Sequence, residues 1–182
     1  MIFLTLTYES IDKLESLMEE LRQGDMQAIA DIYEITHGAV YALALSMLKN
    51  AHDAQDVLHD TYVNLHCAAA SYKAQKRPMA YIMAIARNLC LMKLRERKKT
   101  AEPFEDWLDY IESNNSVTPQ DEAIIRLCME KLTDQEREIV ILHASAGFKH
   151  REIASMLDLP LPTVLSKYHR ALKKLRDMLE RG

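Results

Sequence analysis

A chain of 182 residues holds one medium domain or two small ones, and 48% hydrophobic content is too rich for disorder. The net charge of −4 means that any affinity for nucleic acid must come from local segregation of charge. The four glycines, Gly24, Gly38, Gly147 and Gly182, lie too far apart for a G-x-G-x-x-G turn or a Walker-type phosphate loop, and no G-x-S-x-G elbow occurs.

Apolar residues recur at three and four spacing almost throughout, so the expected fold is all-α. Ile11, Leu14, Leu17, Met18 and Leu21 form a first amphipathic stripe ended by Gly24. Asp25 is placed to cap a second helix reaching Leu48, with a bend near Gly38. Asp53 opens a third, with Val57, Leu58, Tyr62, Leu65 and Ala69 inward. Pro78 suits the first turn of a fourth, PMAYIMAIARNLCLMKLRERKK, whose inward line is Ile82, Ile85, Ala86, Leu89 and Met92 or Lys93. No run approaches the roughly 20 apolar residues that span a bilayer. MIFLTLTYES at the N-terminus lacks a secretion signal's cationic start and cleavage site, so the expected location is cytoplasmic.

Charge is unevenly placed along this chain. From Lys73 to Lys99 nine bases (Lys73, Lys76, Arg77, Arg87, Lys93, Arg95, Arg97, Lys98, Lys99) face one acid, Glu96. Such a cluster attracts phosphate, and Tyr72 and Tyr81 beside it suit either base stacking or packing. From Thr100 to Glu122 the balance inverts: seven acids (Glu102, Glu105, Asp106, Asp109, Glu112, Asp121, Glu122) and no Lys or Arg. With SNNSVTP inside it, this stretch reads as a solvated linker or as a segment that docks in a partner's basic channel.

Helical patterning resumes at Pro119. Thr133 and Glu136 form a capping box, Gly147 ends the helix they start, Lys149 to Leu157 makes another, and Pro162 begins the last after the turn DLPLP. On the last helix Val164, Tyr168, Ala171, Leu175 and Leu179 share one arc. Thr163, Ser166, Lys167, Arg170, Lys173 and Lys174 occupy the other side. A helix, a tight turn and a helix with such a face is helix-turn-helix spacing, and these residue types contact phosphates and base edges. Cys67, Cys90 and Cys128 are too dispersed for a zinc site and are expected to be buried thiols; the seven histidines form no H-E-x-x-H, and no metal or other cofactor is expected.

Three motifs in this order carry a resemblance. DAQDVLHDTYVNLH (Asp53 to His66) resembles the polymerase-binding helix of extracytoplasmic-function sigma factors of bacterial RNA polymerase, members of the sigma-70 superfamily. Pro78 to Lys99 resembles their promoter-melting helix, and Leu132 onward their minus-thirty-five-reading domain. The resemblance covers about Gly24 to Leu179. It implies a non-enzymatic initiation factor whose first domain (1–99) docks on the clamp helices of the polymerase through Asp53, Asp56, Leu58 and His59. Minus-ten recognition and melting would fall to Tyr72, Lys73, Lys76, Arg77, Tyr81, Arg87, Asn88, Lys93, Arg95, Arg97 and Lys98. The acidic linker (100–118) would thread toward the RNA exit path. The second domain (119–182) would hold the polymerase flap and read duplex promoter DNA through Lys149, Arg151, Thr163, Ser166, Lys167, Arg170, Lys173 and Lys174. Family members are often held by an anti-sigma partner. Departures are Tyr81 where a Trp is common, Met92 where an Asp is common, Leu165 where a Lys is common, and about eighteen residues ahead of the usual start. A helix-turn-helix regulator that acts without polymerase, and a degenerate sigma-like interaction module, remain as alternatives.

Overall fold

The computed structural model describes residues 8–73, 77–100, 131–144 and 146–179, with the side chains of 8–11, 99–100 and 178–179 left out. All regular structure among these residues is helical, and the chain divides into two compact units.

In the first unit, α1 (Tyr8–Arg22) buries Leu14, Leu17, Met18 and Leu21. It stops at a Schellman turn: the Asp25 N–H donates to the Glu20 carbonyl and the Gly24 N–H to that of Leu21, both at 3.0 Å. Gly24 takes φ +96 there, a value that disfavours any side chain. α2 (Gln27–Leu48) runs unbroken through Gly38. Asp25 does act at its entrance, accepting from the Gln27 N–H at 2.9 Å.

α3 (Ala51–Ala68) starts before Asp53, because Asn50 is the cap: its side chain accepts from the Asp53 N–H at 2.8 Å. Val57, Thr61, Tyr62 and Leu65 face inward, and Leu58 is half-buried. Between α2 and α3 the Thr36 and Tyr62 hydroxyls bond at 2.8 Å, so the buried polar groups satisfy one another. A short 3-10 turn (Ala69–Ser71) follows, then Tyr72.

α4 (Pro78–Thr100) has Pro78 at its first position. Its buried line is Met79, Ile82, Met83, Ala86 and Cys90, while Ile85 and Leu89 are only half-buried. Continued at the same spacing, that line reaches Lys93 and Arg97 rather than Met92, which is 53% exposed. Cys90 is the buried thiol expected, but Cys67 is exposed. It sits two positions beyond Leu65, about half a helical turn from the inward face of α3. Cys128, the acidic linker and the start of the second helical region lie outside the described residues.

In the second unit, α5 (Asp134–Ala144) is capped as its sequence requires. The Thr133 N–H donates to Glu136 Oε2 at 3.0 Å and the Glu136 N–H to Thr133 Oγ1 at 3.4 Å. The chain turns through Gly147 at φ +72 into α6 (His150–Leu157). A turn with Asp158 at φ 52 leads to α7 (Leu161–Leu179), one residue ahead of Pro162. Val164 and Ala171 are fully buried; Leu132, Val140 and Ala171 pack together with Tyr168 and Leu175 at their edge.

Candidate functional site

The acids of α3 meet the bases of α4. Lys93 Nζ donates to Asp56 Oδ2 at 2.8 Å and to Asp53 Oδ1 at 3.2 Å. Arg97 pairs with the second oxygen of Asp53 and donates to the Leu48 carbonyl at 3.0 Å. That carbonyl lies in the last turn of α2, where backbone acceptors lack a helical partner, so Arg97 ties three helices together. The Lys93 hydrogen bond holds the Asp56 carboxyl below its usual range. Burial opposes charge on Lys93, yet the hydrogen bonds to Asp56 and Asp53 raise its pKa on balance. His52, Asp53 and Asp56 also come within ligand distance of one another, but the carboxylates are engaged by an ammonium and a guanidinium.

Of the expected polymerase-facing residues, Asp53 and Asp56 are therefore partly engaged within the chain, Leu58 is half-buried and His59 is exposed. The expected minus-ten set does not share one environment. Lys73, Arg77, Asn88, Arg95 and Lys98 are exposed. Arg87 and Tyr81 are half-buried, and Lys93 and Arg97 turn toward α3. Lys76 lies outside the described residues.

Of the two readings open for Tyr72, stacking or packing, the structure has it packed. It is 6% exposed, its hydroxyl donates to Glu15 Oε2 at 2.9 Å, and its ring meets Tyr81 edge-on at 5.2 Å. Burial, then the Glu15 carboxylate, raises the phenol well above its ordinary pKa. In this arrangement the ring packs under α1 and offers no open face to a base.

On the second unit Lys149, Arg151, Ser166, Arg170 and Lys173 are exposed, and Thr163 and Lys167 are half-buried. Lys174 departs from the expected DNA face: its ammonium lies 2.7 Å from Glu136 Oε2, a carboxylate in a residue 1% exposed. Burial works against that carboxylate, but Lys174 and the Thr133 N–H hold its pKa below the usual value. A cluster that sequence periodicity did not single out joins the three helices. His143 and His150 lie 4.2 Å apart between centroids, with Tyr168 4.8 and 4.6 Å from them. His143 donates through Nδ1 to the Phe148 carbonyl at 2.7 Å, while His150 Nε2 is buried with no hydrogen-bond partner. Burial, then His143 and His169, lowers the His150 pKa.

Residues 32–100 match the family model for sigma-70 region 2, and residues 122–175 that for sigma-70 region 4. The chain belongs to the sigma-70 family. Its relatives place it in the extracytoplasmic-function branch. It is 24% identical to ECF RNA polymerase sigma factor SigW of Bacillus subtilis (91% of this chain, 96% of that one). It is 23% identical to ECF RNA polymerase sigma factor SigK of Mycobacterium ulcerans (93% and 95%). The fold resembles that of CnrH, solved in complex with the cytosolic domain of CnrY, with TM-score 0.61 and 22% identity over 92% of this chain and 97% of that one. It also resembles the sigma factor RpoE of Bartonella quintana, solved with the anti-sigma factor NepR, with TM-score 0.60 and 20% identity over 83% and 96%. In this sigma factor the region 2 match takes in most of α2 and all of α3 and α4, and α1 precedes it. No helix among the described residues is long and apolar enough to cross a membrane.

Proposed function

We propose that this sigma factor binds core RNA polymerase through the outer face of α3, around Asp56 and His59, and directs initiation by gripping promoter DNA with both units. The first domain (1–99) engages the melted minus-ten strand through the exposed cations of α4, chiefly Arg95 and Lys98, with Lys73 and Arg77 ahead of the helix. The acidic linker (100–118) connects it to the second domain (119–182). There Arg151, Ser166, Lys167, Arg170 and Lys173 contact the minus-thirty-five duplex, with Thr163 at the start of α7. The observation that carries this reading is the ordered pair of regions 2 and 4, each with exposed cations on the helix expected to meet DNA. Lys93, Arg97 and Lys174 drop out of the direct-contact set because each already faces an acid within its own unit. The protein performs no catalysis itself, and it acts where the polymerase is, in the cytoplasm. An anti-sigma partner is a further expectation, in keeping with the complex described for RpoE.

The test is capture of purified core polymerase, followed by run-off transcription from promoters selected out of a genomic pool. Asp56→Arg is expected to weaken the polymerase complex, and Arg95→Glu with Lys98→Glu to abolish transcripts while sparing that complex. Binding without transcripts from any promoter would favour a degenerate interaction module. DNA binding with no affinity for polymerase would favour an independent regulator.

A further inference from the structure

The pairing of Asp56 with Lys93 ties a residue that the proposed function assigns to polymerase to a cation on the helix it assigns to DNA, a cation that this pairing keeps out of the direct-contact set. Their side chains are 45% and 25% exposed, so water and a partner reach them without unfolding. Arg97 and Asp53 are more enclosed, at 23% and 20%, and Arg97 is also tied to the Leu48 carbonyl. Lys93 spans both acids, 2.8 Å from the accessible Asp56 and 3.2 Å from the enclosed Asp53, so its shorter contact is the one a partner reaches. A partly solvated ion pair is readily exchanged for a better partner, and a lysine stem is long and flexible enough to follow the exchange.

We infer that the Asp56–Lys93 pair is an electrostatic latch: in the free sigma factor it holds Lys93 off DNA, and a cationic surface that takes Asp56 releases Lys93 to a phosphate. This rests on the reading of α3 as the polymerase face and α4 as the DNA face. Arg97 stays in place as a strut, keeping α4 docked while Lys93 moves. The consequence is that α4 grips DNA more strongly after polymerase is bound than before. A free chain of this design wastes less of itself on non-specific DNA, since each phosphate contact withheld lowers that affinity.

The test compares the full chain alone, on a short fluorescein-labelled oligothymidylate, with the polymerase-bound chain on a promoter fork probe, by anisotropy across a salt series. Asp56→Asn is expected to raise free-chain affinity about threefold and to steepen the salt slope by about 0.7, the increment for one added contact to a single strand. Lys93→Met is expected to leave the free chain unchanged and to weaken the polymerase-bound complex about threefold. Asp56→Lys with Lys93→Asp rebuilds the pair and is expected to return the free chain to wild-type affinity, a control should Asp56→Asn alter the fold. An unchanged slope in Asp56→Asn overturns the latch. So does a Lys93→Met loss equal in both states, or absent from both. Undiminished fork binding by polymerase-bound Arg95→Glu would instead overturn the assignment of α4 to DNA.

Discussion

Each unit of this protein is braced by an acid–base contact between helices distant in sequence, but the two braces are built differently. In the first unit two acids and two bases share a partly solvated patch, and the contact of Lys93 with Asp56 lies on residues open enough to be exchanged. In the second a single carboxylate, Glu136, is sealed at 1% exposure and meets an ammonium that water reaches. A buried acid must keep its partner, whereas an exposed one can trade it. Position on a basic helix therefore does not decide whether a lysine grips DNA. On the proposed reading, what decides it is the burial of the acid across from it.

The sharpest way to break the comparison is within the first unit. Arg97→Glu faces Asp53 with a like charge and leaves the Leu48 carbonyl without that donor, and is expected to cost about 3 kcal/mol in urea unfolding. Arg95→Glu, two residues away and exposed, is expected to change stability by less than about 0.5 kcal/mol while lowering promoter affinity. Equal destabilisation by both would remove the distinction between strut and grip.

In the second unit, Lys174→Met leaves the Glu136 carboxylate sealed with only its Thr133 hydrogen bonds. The expected cost is about 2 kcal/mol at neutral pH, below that of fully buried pairs because Lys174 is partly solvated. The cost should shrink as pH falls below the Glu reference value of 4.5, where Glu136 takes a proton and no longer needs a cation. A pH-independent loss would show that the Lys174 stem, not its charge, stabilises the unit.

The sequence made the helices and both caps around Thr133 and Glu136 legible, because period and capping chemistry are local. It also located the basic helices. It did not separate gripping cations from bracing ones, since Lys93, Arg95, Arg97 and Lys98 look alike in one dimension. Reading the buried line as Met79, Met83, Ala86 and Cys90, and extending it to Lys93 and Arg97, would have found the brace. The apolar residues Ile85 and Leu89 drew the predicted line to one side. Tyr72 was equally ambiguous, because its partner Glu15 lies 57 residues away and no local pattern connects them. Asn50 was overlooked in favour of Asp53, although Asn is among the preferred cap residues and an acid in the first turn supports a helix start there. Asn50→Ala is expected to cost about 1 kcal/mol, which urea unfolding resolves.

The smallest expected effect separates the units by pH. His150 has a lowered folded pKa, so its contribution is present above the reference value of 6.5 and is lost as pH falls through the folded value. Glu136, also lowered, follows below 4.5, and in the first unit Asp56 begins to yield only below 3.8. Charging His150 is costly because its buried Nε2 has no acceptor, its ring abuts His143, and it opens α6, where the helix dipole opposes a cation. Amide hydrogen exchange between pH 7 and pH 5, corrected for intrinsic rates, should therefore show protection falling in α5 to α7 while α2 to α4 hold theirs. His150→Phe keeps an aromatic ring against Tyr168 and removes the titrating nitrogen, so it should flatten the response of the second unit across this range. A response that persists in His150→Phe would show that His150 is not its source.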